Sequence, residues 1–169
     1  MLRCKRILVP LDGSATAERA LPIATDLARR FRVPLHIVRV VASIELLCTE
    51  QPSTPEAFTR EISVAEAMAE EYLATVRRQL AASGLAVTSE SRRGNPARQL
   101  LRAVSNQDVV VMTTSGRGEN PVMGSVAAWV ITQASVPVLI IPSADRSPHS
   151  PLALPVEPDR EHTPTGDST

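Results

Sequence analysis

The residues with the clearest chemical potential lie at 108–125, in the sequence DVVVMTTSGRGENPVMGS. Four consecutive apolar residues, 109–112, are typical of a buried strand in a parallel sheet. A loop that contains Gly116 and Gly118 follows, and Gly124 then precedes an amphipathic run. A strand, a glycine-rich loop and a helix N-terminus in this order expose backbone N–H groups that bind anions. This stretch therefore predicts a phosphate-binding site.

Apolar runs alternate with amphipathic runs along the whole chain, which predicts an α/β fold with a parallel sheet. Five strands are predicted at 7–11, 35–41, 85–91, 109–112 and 136–141, with four helices between them. Ligands bind such sheets at the carboxyl ends of the strands, where the strand order reverses. Strands one and four flank that crevice, so we expect Asp12 to lie near the Gly116 loop.

Individual residues predict how the helices begin, bend and end. Ser14 and Asn95 are predicted N-caps, and Pro22 predicts a kink because an interior proline removes a helix hydrogen bond. The second helix is predicted at about 56–83, with Gly84 at its end. The buried sides of the first and last helices are predicted to include Phe31 and Ile131, respectively.

Length and composition restrict the class of protein. The 169 residues suggest one domain, predicted at 1–143, followed by a proline-rich and polar segment at 144–169 that we expect to be a disordered tail. A formal net charge of zero and 2% aromatic residues give no support for nucleic-acid binding. No run approaches the ~18 apolar residues of a membrane span. Without a signal-peptide pattern, the expected location is the cytoplasm.

Common catalytic patterns are absent from the sequence. Neither the dinucleotide fingerprint G-x-G-x-x-G nor the G-x-x-x-x-G-K-[ST] loop occurs. Two of the three histidines fall in the predicted tail, and the third, His36, is interpreted as a structural strand residue. Cys4 and Cys48 have no disulfide or metal-ligand spacing. We therefore predict a binding protein and not an enzyme, with no catalytic residues and no protein metal site.

Five segments, taken together and in order, resemble the universal stress protein family: ILVPLDGS, AERALPIATDLA, DVVVMTTSGRG, GSVAAWVI and PVLIIP. The resemblance covers Lys5 to about Pro142. It implies a Rossmann-like sheet of the adenine nucleotide alpha hydrolase-like type, with five parallel strands in the order 3-2-1-4-5 and helices on both faces. It also implies a stress-linked sensor or regulator that binds ATP, or AMP or ADP, and a homodimer. Asp12 is the carboxylate expected to meet Mg²⁺ bridging the phosphates.

The resemblance assigns the nucleotide site residue by residue. The family motif G-x-x-G-x9-G-[ST] has Thr113 in place of its first glycine, and its second glycine is Gly116. Seven residues instead of nine then separate Gly116 from the closing pair, Gly124 and Ser125. Backbone N–H groups of Gly116, Gly124 and Ser125 are expected to hold the phosphates. The implied site consists of Pro10, Asp12, Val40, Met112, Thr113, Gly116, Arg117, Gly118, Gly124, Ser125 and Val126.

Two other functions remain open. One is a nucleotide-free homodimeric interaction module of the same family. With or without nucleotide, the homodimer is expected to form through the apolar last strand, Val138–Ile141, and any other protein partner is unknown. An enzyme of a related nucleotide-binding α/β superfamily is disfavoured, since neither H-x-G-H nor S-G-G-x-D-S occurs.

Overall fold

The computed structural model describes residues 4–42, 54–114 and 123–142. These residues form one parallel sheet of five strands in the order β3-β2-β1-β4-β5, which confirms the predicted fold class and strand order. The strands are β1 Arg6–Leu11, β2 Leu35–Val41, β3 Val87–Arg93, β4 Asp108–Thr113 and β5 Val138–Ile141. The predicted loop at 42–55 lies mostly outside the described residues, and the predicted tail lies wholly outside them.

Helices cover both faces of the sheet. They are α1 Ala15–Glu18, α2 Ala20–Phe31, α3 Pro55–Ala81, α4 Pro96–Ala103 and α5 Ser125–Gln133. Side chains of α1, α2 and α3 pack with Ile7 and Val9 of β1 in one buried cluster. Side chains of α4 and α5 pack with Leu8 in a second cluster on the opposite face. Alternation along the strands therefore assigns each position to one of two faces, named here the α1–α3 face and the α4–α5 face.

The first predicted helix is divided in two at Arg19, as the position of Pro22 predicts. Proline has no N–H to donate to the carbonyl of Glu18 four residues earlier, and its ring crowds that carbonyl. The chain ends α1 at Glu18 and begins α2 at Ala20. The Arg19 N–H turns back to the carbonyl oxygen of Thr16 at 3.2 Å.

The predicted caps form the contacts that their residue types suggest. The Oγ atom of Ser14 accepts a hydrogen bond from the backbone N–H of Ala17 at 3.1 Å, and Asn95 accepts one from Arg98 at 3.1 Å. Gly84 follows α3 with a φ of 81°, a left-handed conformation that favours glycine.

Four local expectations differ from the structure. Phe31 is 48% exposed and Ile131 is 39% exposed, because the buried stripe of α2 consists of alanines and that of α5 runs through Ala127 and Val130. Strand β3 begins two residues later than predicted, and β5 begins at Val138. No helix within the described residues is long and apolar enough to cross a membrane.

Candidate functional site

A tight turn fixes Asp12 at the carboxyl end of β1. One carboxylate oxygen of Asp12 accepts hydrogen bonds from the backbone N–H of Ser14 at 2.9 Å and from its hydroxyl at 2.6 Å. Gly13 between them has a φ of 85°. Because Ser14 also caps α1, strand, turn and helix are joined in one rigid unit. The carboxylate is therefore positioned before any ligand arrives.

Three neighbouring strands place the other predicted wall residues on one face. Met112 belongs to the buried cluster beneath α4 and α5, and Val40 packs against that cluster. Pro10 lies two residues after Leu8 on β1 and pairs with Val38 on β2. Because Leu8 and Val38 both belong to the cluster beneath α4 and α5, Pro10 lies on that face as well. Pro10, Val40 and Met112 thus lie on the α4–α5 face towards the carboxyl ends of β1, β2 and β4.

This wall lies at the point where the strand order reverses. Strands β1 and β4 are direct neighbours, with Leu8 paired to Val110. The chain leaves β1 for helices on one face and leaves β4 for α5 on the other. Two connections that diverge from adjacent strands leave a crevice between them, which is where α/β sheets bind ligands.

The ends of the glycine-rich loop are tied together beside the wall. Thr113 is the buried last residue of β4, and Thr114 donates its N–H to the carbonyl oxygen of Ile141 at 3.0 Å. Gly124 donates its N–H to the carbonyl oxygen of Thr114 at 2.7 Å. The Gly124 N–H, expected from the sequence to bind phosphate, is therefore engaged by the chain itself.

Gly124 is the N-cap of α5, and its backbone angles of φ −64° and ψ 152° are open to any residue. Ser125 begins the helix with its side chain exposed, and Val126 is half-buried against the α4–α5 cluster. The predicted residues Gly116, Arg117 and Gly118 lie outside the described part of the chain.

A polar row that was not predicted from the sequence lies on the same face and runs across β2 and β3. His36 Nδ1 lies 2.8 Å from the hydroxyl oxygen of Thr88, and His36 Nε2 lies 3.5 Å from a carboxylate oxygen of Glu90. The other Glu90 oxygen pairs with Arg92 at 2.9 Å. The available signal was the spacing of Thr88, Glu90 and Arg92, since every second residue of a strand shares a face.

Burial determines the charge state of His36 in this row. The side chain is buried, and desolvation, followed by the positive charge of Arg6, lowers its pKa. The carboxylates of Glu90 and Asp108 oppose the shift only in part. His36 is thus held towards its neutral form, in agreement with its interpretation as a structural residue.

A second polar cluster lies on the opposite, α1–α3, face of the sheet. The Arg39 guanidinium lies 5.0 Å from the centre of the Tyr72 ring, and the Tyr72 hydroxyl donates to Glu18 at 2.7 Å. Burial and the bond to Glu18 raise the pKa of Tyr72. A Cβ on Gly13 would lie 3.3 Å from Arg39 Cζ. The Arg39 guanidinium therefore packs closely against the turn that holds Asp12.

The described residues contain no group of three or more His, Cys, Asp or Glu side chains that could hold a metal ion. In the described part of the chain, the site has an aliphatic wall and a carboxylate fixed at the carboxyl end of β1.

Known proteins with similar sequences share one description. A sequence profile of the universal stress protein family matches residues 3–142. A universal stress protein of Mycobacterium tuberculosis is 32% identical over 136 residues, which are 79% of this chain and 44% of that protein. One from Methanocaldococcus jannaschii is 26% identical over 141 residues, 81% of each chain. The chain thus spans less than half of the mycobacterial relative.

Solved structures share the fold. Universal stress protein UspA from Lactobacillus plantarum aligns with a TM-score of 0.71 at 23% identity, over 82% of this chain and 98% of its own. An Archaeoglobus fulgidus universal stress protein in complex with dAMP aligns at 0.55 and 20% identity, over 83% and 99%. An Arabidopsis thaliana protein of the family with AMP bound aligns at 0.52 and 15% identity, over 81% and 90%. With its sequence profile matched over residues 3–142, this chain belongs to the universal stress protein family.

Proposed function

We propose that the chain binds an adenine nucleotide at the carboxyl ends of β1, β2 and β4 and acts as a nucleotide-responsive stress regulator. The observation that carries the proposal is the shared placement of Pro10, Val40 and Met112 on one face beside the strand-order reversal. Solved members of the same fold that contain AMP or dAMP support it.

The wall residues suit the parts of a nucleoside. The aliphatic surface of Pro10, Val40 and Met112 can bury a purine ring, which gains free energy from the apolar area removed from water. The Asp12 carboxylate, held by Ser14, is an acceptor suited to ribose hydroxyl groups. The base would then lie towards β2 and the phosphate towards the loop after β4.

The number of residues in the loop and the bond at its Gly124 end favour a monophosphate over a triphosphate. The loop is two residues shorter than the family motif, and the Gly124 N–H already donates to Thr114. Fewer backbone donors remain for outer phosphates, so binding energy comes mainly from base, ribose and one phosphate. In this proposal ATP, with its Mg²⁺, gains little over AMP.

Calorimetric titration of AMP, ADP and ATP tests this function. We expect wild-type protein to bind all three with dissociation constants within about tenfold of one another. Asp12→Ala should weaken all three similarly, and Gly124→Val should abolish binding because its side chain fills the phosphate position. The backbone angles of Gly124 are open to valine. The melting temperature of Gly124→Val is therefore the control, and an unchanged value would show that the fold is intact. ATP binding a hundredfold tighter than AMP, about 2.7 kcal/mol, would contradict the short-loop argument.

A nucleotide-free dimeric module is the second candidate, and the exposed edge of the described sheet favours it. Leu139 of the edge strand β5 is 39% exposed, and an open apolar edge invites pairing with a second copy. Sedimentation of wild type and Leu139→Lys at micromolar concentration tests the homodimer. A monomeric wild type would contradict it, and a dimer that binds no adenine nucleotide would favour the module.

A further inference from the structure

Arg92 lies next to the proposed base wall. In the parallel register of β2 and β3, Arg92 is the direct partner of Val40. Both occupy the α4–α5 face, since Val38 and Val40 pack into that cluster and Glu90 and Arg92 follow the same two-residue period. Arg92 is the penultimate residue of β3, so it lies at the carboxyl end where the wall lies.

The hydrogen bonds of Arg92 are incompletely used. A guanidinium has five N–H donors, and Arg92 Nη2 donates to Glu90 Oε1 at 2.9 Å. Its Nε is shielded from solvent and has no hydrogen-bond partner among the described residues. A buried donor without an acceptor is unfavourable. The side chain as a whole keeps 26% of its surface exposed, so part of it remains open to a ligand.

Sheet geometry places Arg92 at the base end of the site. Strands β2 and β1 separate β3 from β4, and three strand spacings amount to about 14 Å. The loop after β4, where phosphate is expected, is therefore remote. Glu90 also neutralises Arg92, which favours an uncharged acceptor over a phosphate. Resting on the proposed function, we propose that Arg92 is a specificity-determining residue whose guanidinium donates a hydrogen bond to a ring nitrogen of the purine.

Two ligands and a matched control variant test this inference. AMP and ribose 5-phosphate differ by the base alone, so a contact to the base affects only AMP. Arg92→Met keeps the methylene stem but removes every donor, and Arg92→Lys restores a charged donor. Arg93→Met is the control, because Arg93 is the adjacent, exposed residue whose nearest ion-pair partner is Glu66, at 3.7 Å.

We expect Arg92→Met to lower the affinity for AMP about tenfold or more, because it removes a charged hydrogen-bond donor. Its affinity for ribose 5-phosphate should stay unchanged, Arg92→Lys should recover part of the AMP affinity, and Arg93→Met should match wild type. If Arg92→Met fails to fold, Arg92→Leu, which also has no donor, replaces it in the same comparison.

Three results would overturn the inference. Equal AMP affinities of Arg92→Met and Arg93→Met would show that the base does not use Arg92. If Arg92→Met lost affinity for AMP and for ribose 5-phosphate equally, Arg92 would act on the phosphate or on the fold. A wild type that binds no AMP would overturn the proposed function itself and this inference with it, whereas the first two results leave nucleotide binding intact.

Discussion

The two ends of the parallel strands, named here the amino edge and the carboxyl edge of the sheet, differ in the partners of their charged groups. At the amino edge, Asp108 is 3% exposed and accepts hydrogen bonds from Arg6 Nε at 3.0 Å and Nη2 at 2.6 Å. It also accepts one from the backbone N–H of Ser105 at 2.8 Å, and Arg6 donates further to the carbonyl of Ala103 at 2.9 Å. The chain itself thus supplies partners on every side of this ion pair.

At the carboxyl edge, by contrast, the chain leaves a buried donor of Arg92 without a partner among the described residues. At this edge the Asp12 carboxylate is held by the backbone N–H and the hydroxyl of Ser14. Partners supplied from within the chain stabilise the fold, whereas unfilled donors beside an apolar wall suit a ligand. We therefore expect the amino edge to contribute stability and the carboxyl edge to bind the ligand.

Removal of the amino-edge carboxylate should give the largest effect. Asp108→Ala leaves the Arg6 guanidinium partly buried without its counter-charge, which should lower the free energy of unfolding by about 3 kcal/mol. Urea denaturation measures this loss. AMP affinity of the folded fraction should not change. A loss below about 1 kcal/mol, the value of an exposed pair, would break the assignment of stability to this edge.

The His36 row connects the two edges and should make stability depend on pH. The folded protein holds the pKa of His36 below the usual 6.5. Between this lowered pKa and pH 6.5, the unfolded chain therefore binds more protons than the folded protein does. The free energy of unfolding should therefore fall as the pH drops below 6.5, by at most about 1.4 kcal/mol per pH unit for one proton.

Denaturation of wild type and His36→Gln between pH 7.5 and 5 isolates the histidine from the carboxylates that titrate nearby. The wild type should lose more stability than the variant over this range. Parallel curves for the two proteins would show that His36 takes no part in the pH dependence.

Loss of the Tyr72 hydroxyl should give the smallest effect. This group donates to Glu18 on the α1–α3 face, behind the proposed wall, so it belongs to the structural side of the comparison. Tyr72→Phe should cost about 1 kcal/mol of unfolding free energy, the usual net value of a hydrogen bond, and leave AMP affinity unaltered. A larger effect on AMP binding than on stability would place this cluster within the binding site.

Much of the fold could be predicted from the sequence because local chemistry and tertiary packing agree. Pro22 broke its helix and Asn95 capped its helix through interactions within a few residues. Phe31 and Ile131 were wrongly predicted to be buried. A helical period shows which side of a helix is apolar, but it does not show how wide the buried part of that side is. Short side chains at Ala24 and Ala127 approach the sheet, so the larger residues remain at the rim.

The site was less predictable, since it depends on which strands become neighbours. The Gly124 N–H has a carbonyl partner at Thr114 that only the folded loop ends reveal. Arg92 lies just beyond the strand predicted at 85–91, and only the register of β3 with Val40 brings it to the wall. Pro10, Asp12, Val40 and Met112 were assigned by resemblance, and their binding role stays a prediction.

Amide chemical shifts measured during an AMP titration show directly which edge of the sheet binds the nucleotide. We expect AMP to perturb the amides of Asp12, Val40, Thr113 and Gly124 at the carboxyl edge. The amides of Arg6 and of residues 103–108 at the amino edge should keep their positions. Perturbations concentrated at the amino edge, or none at millimolar AMP, would contradict the assignment of binding to the carboxyl edge.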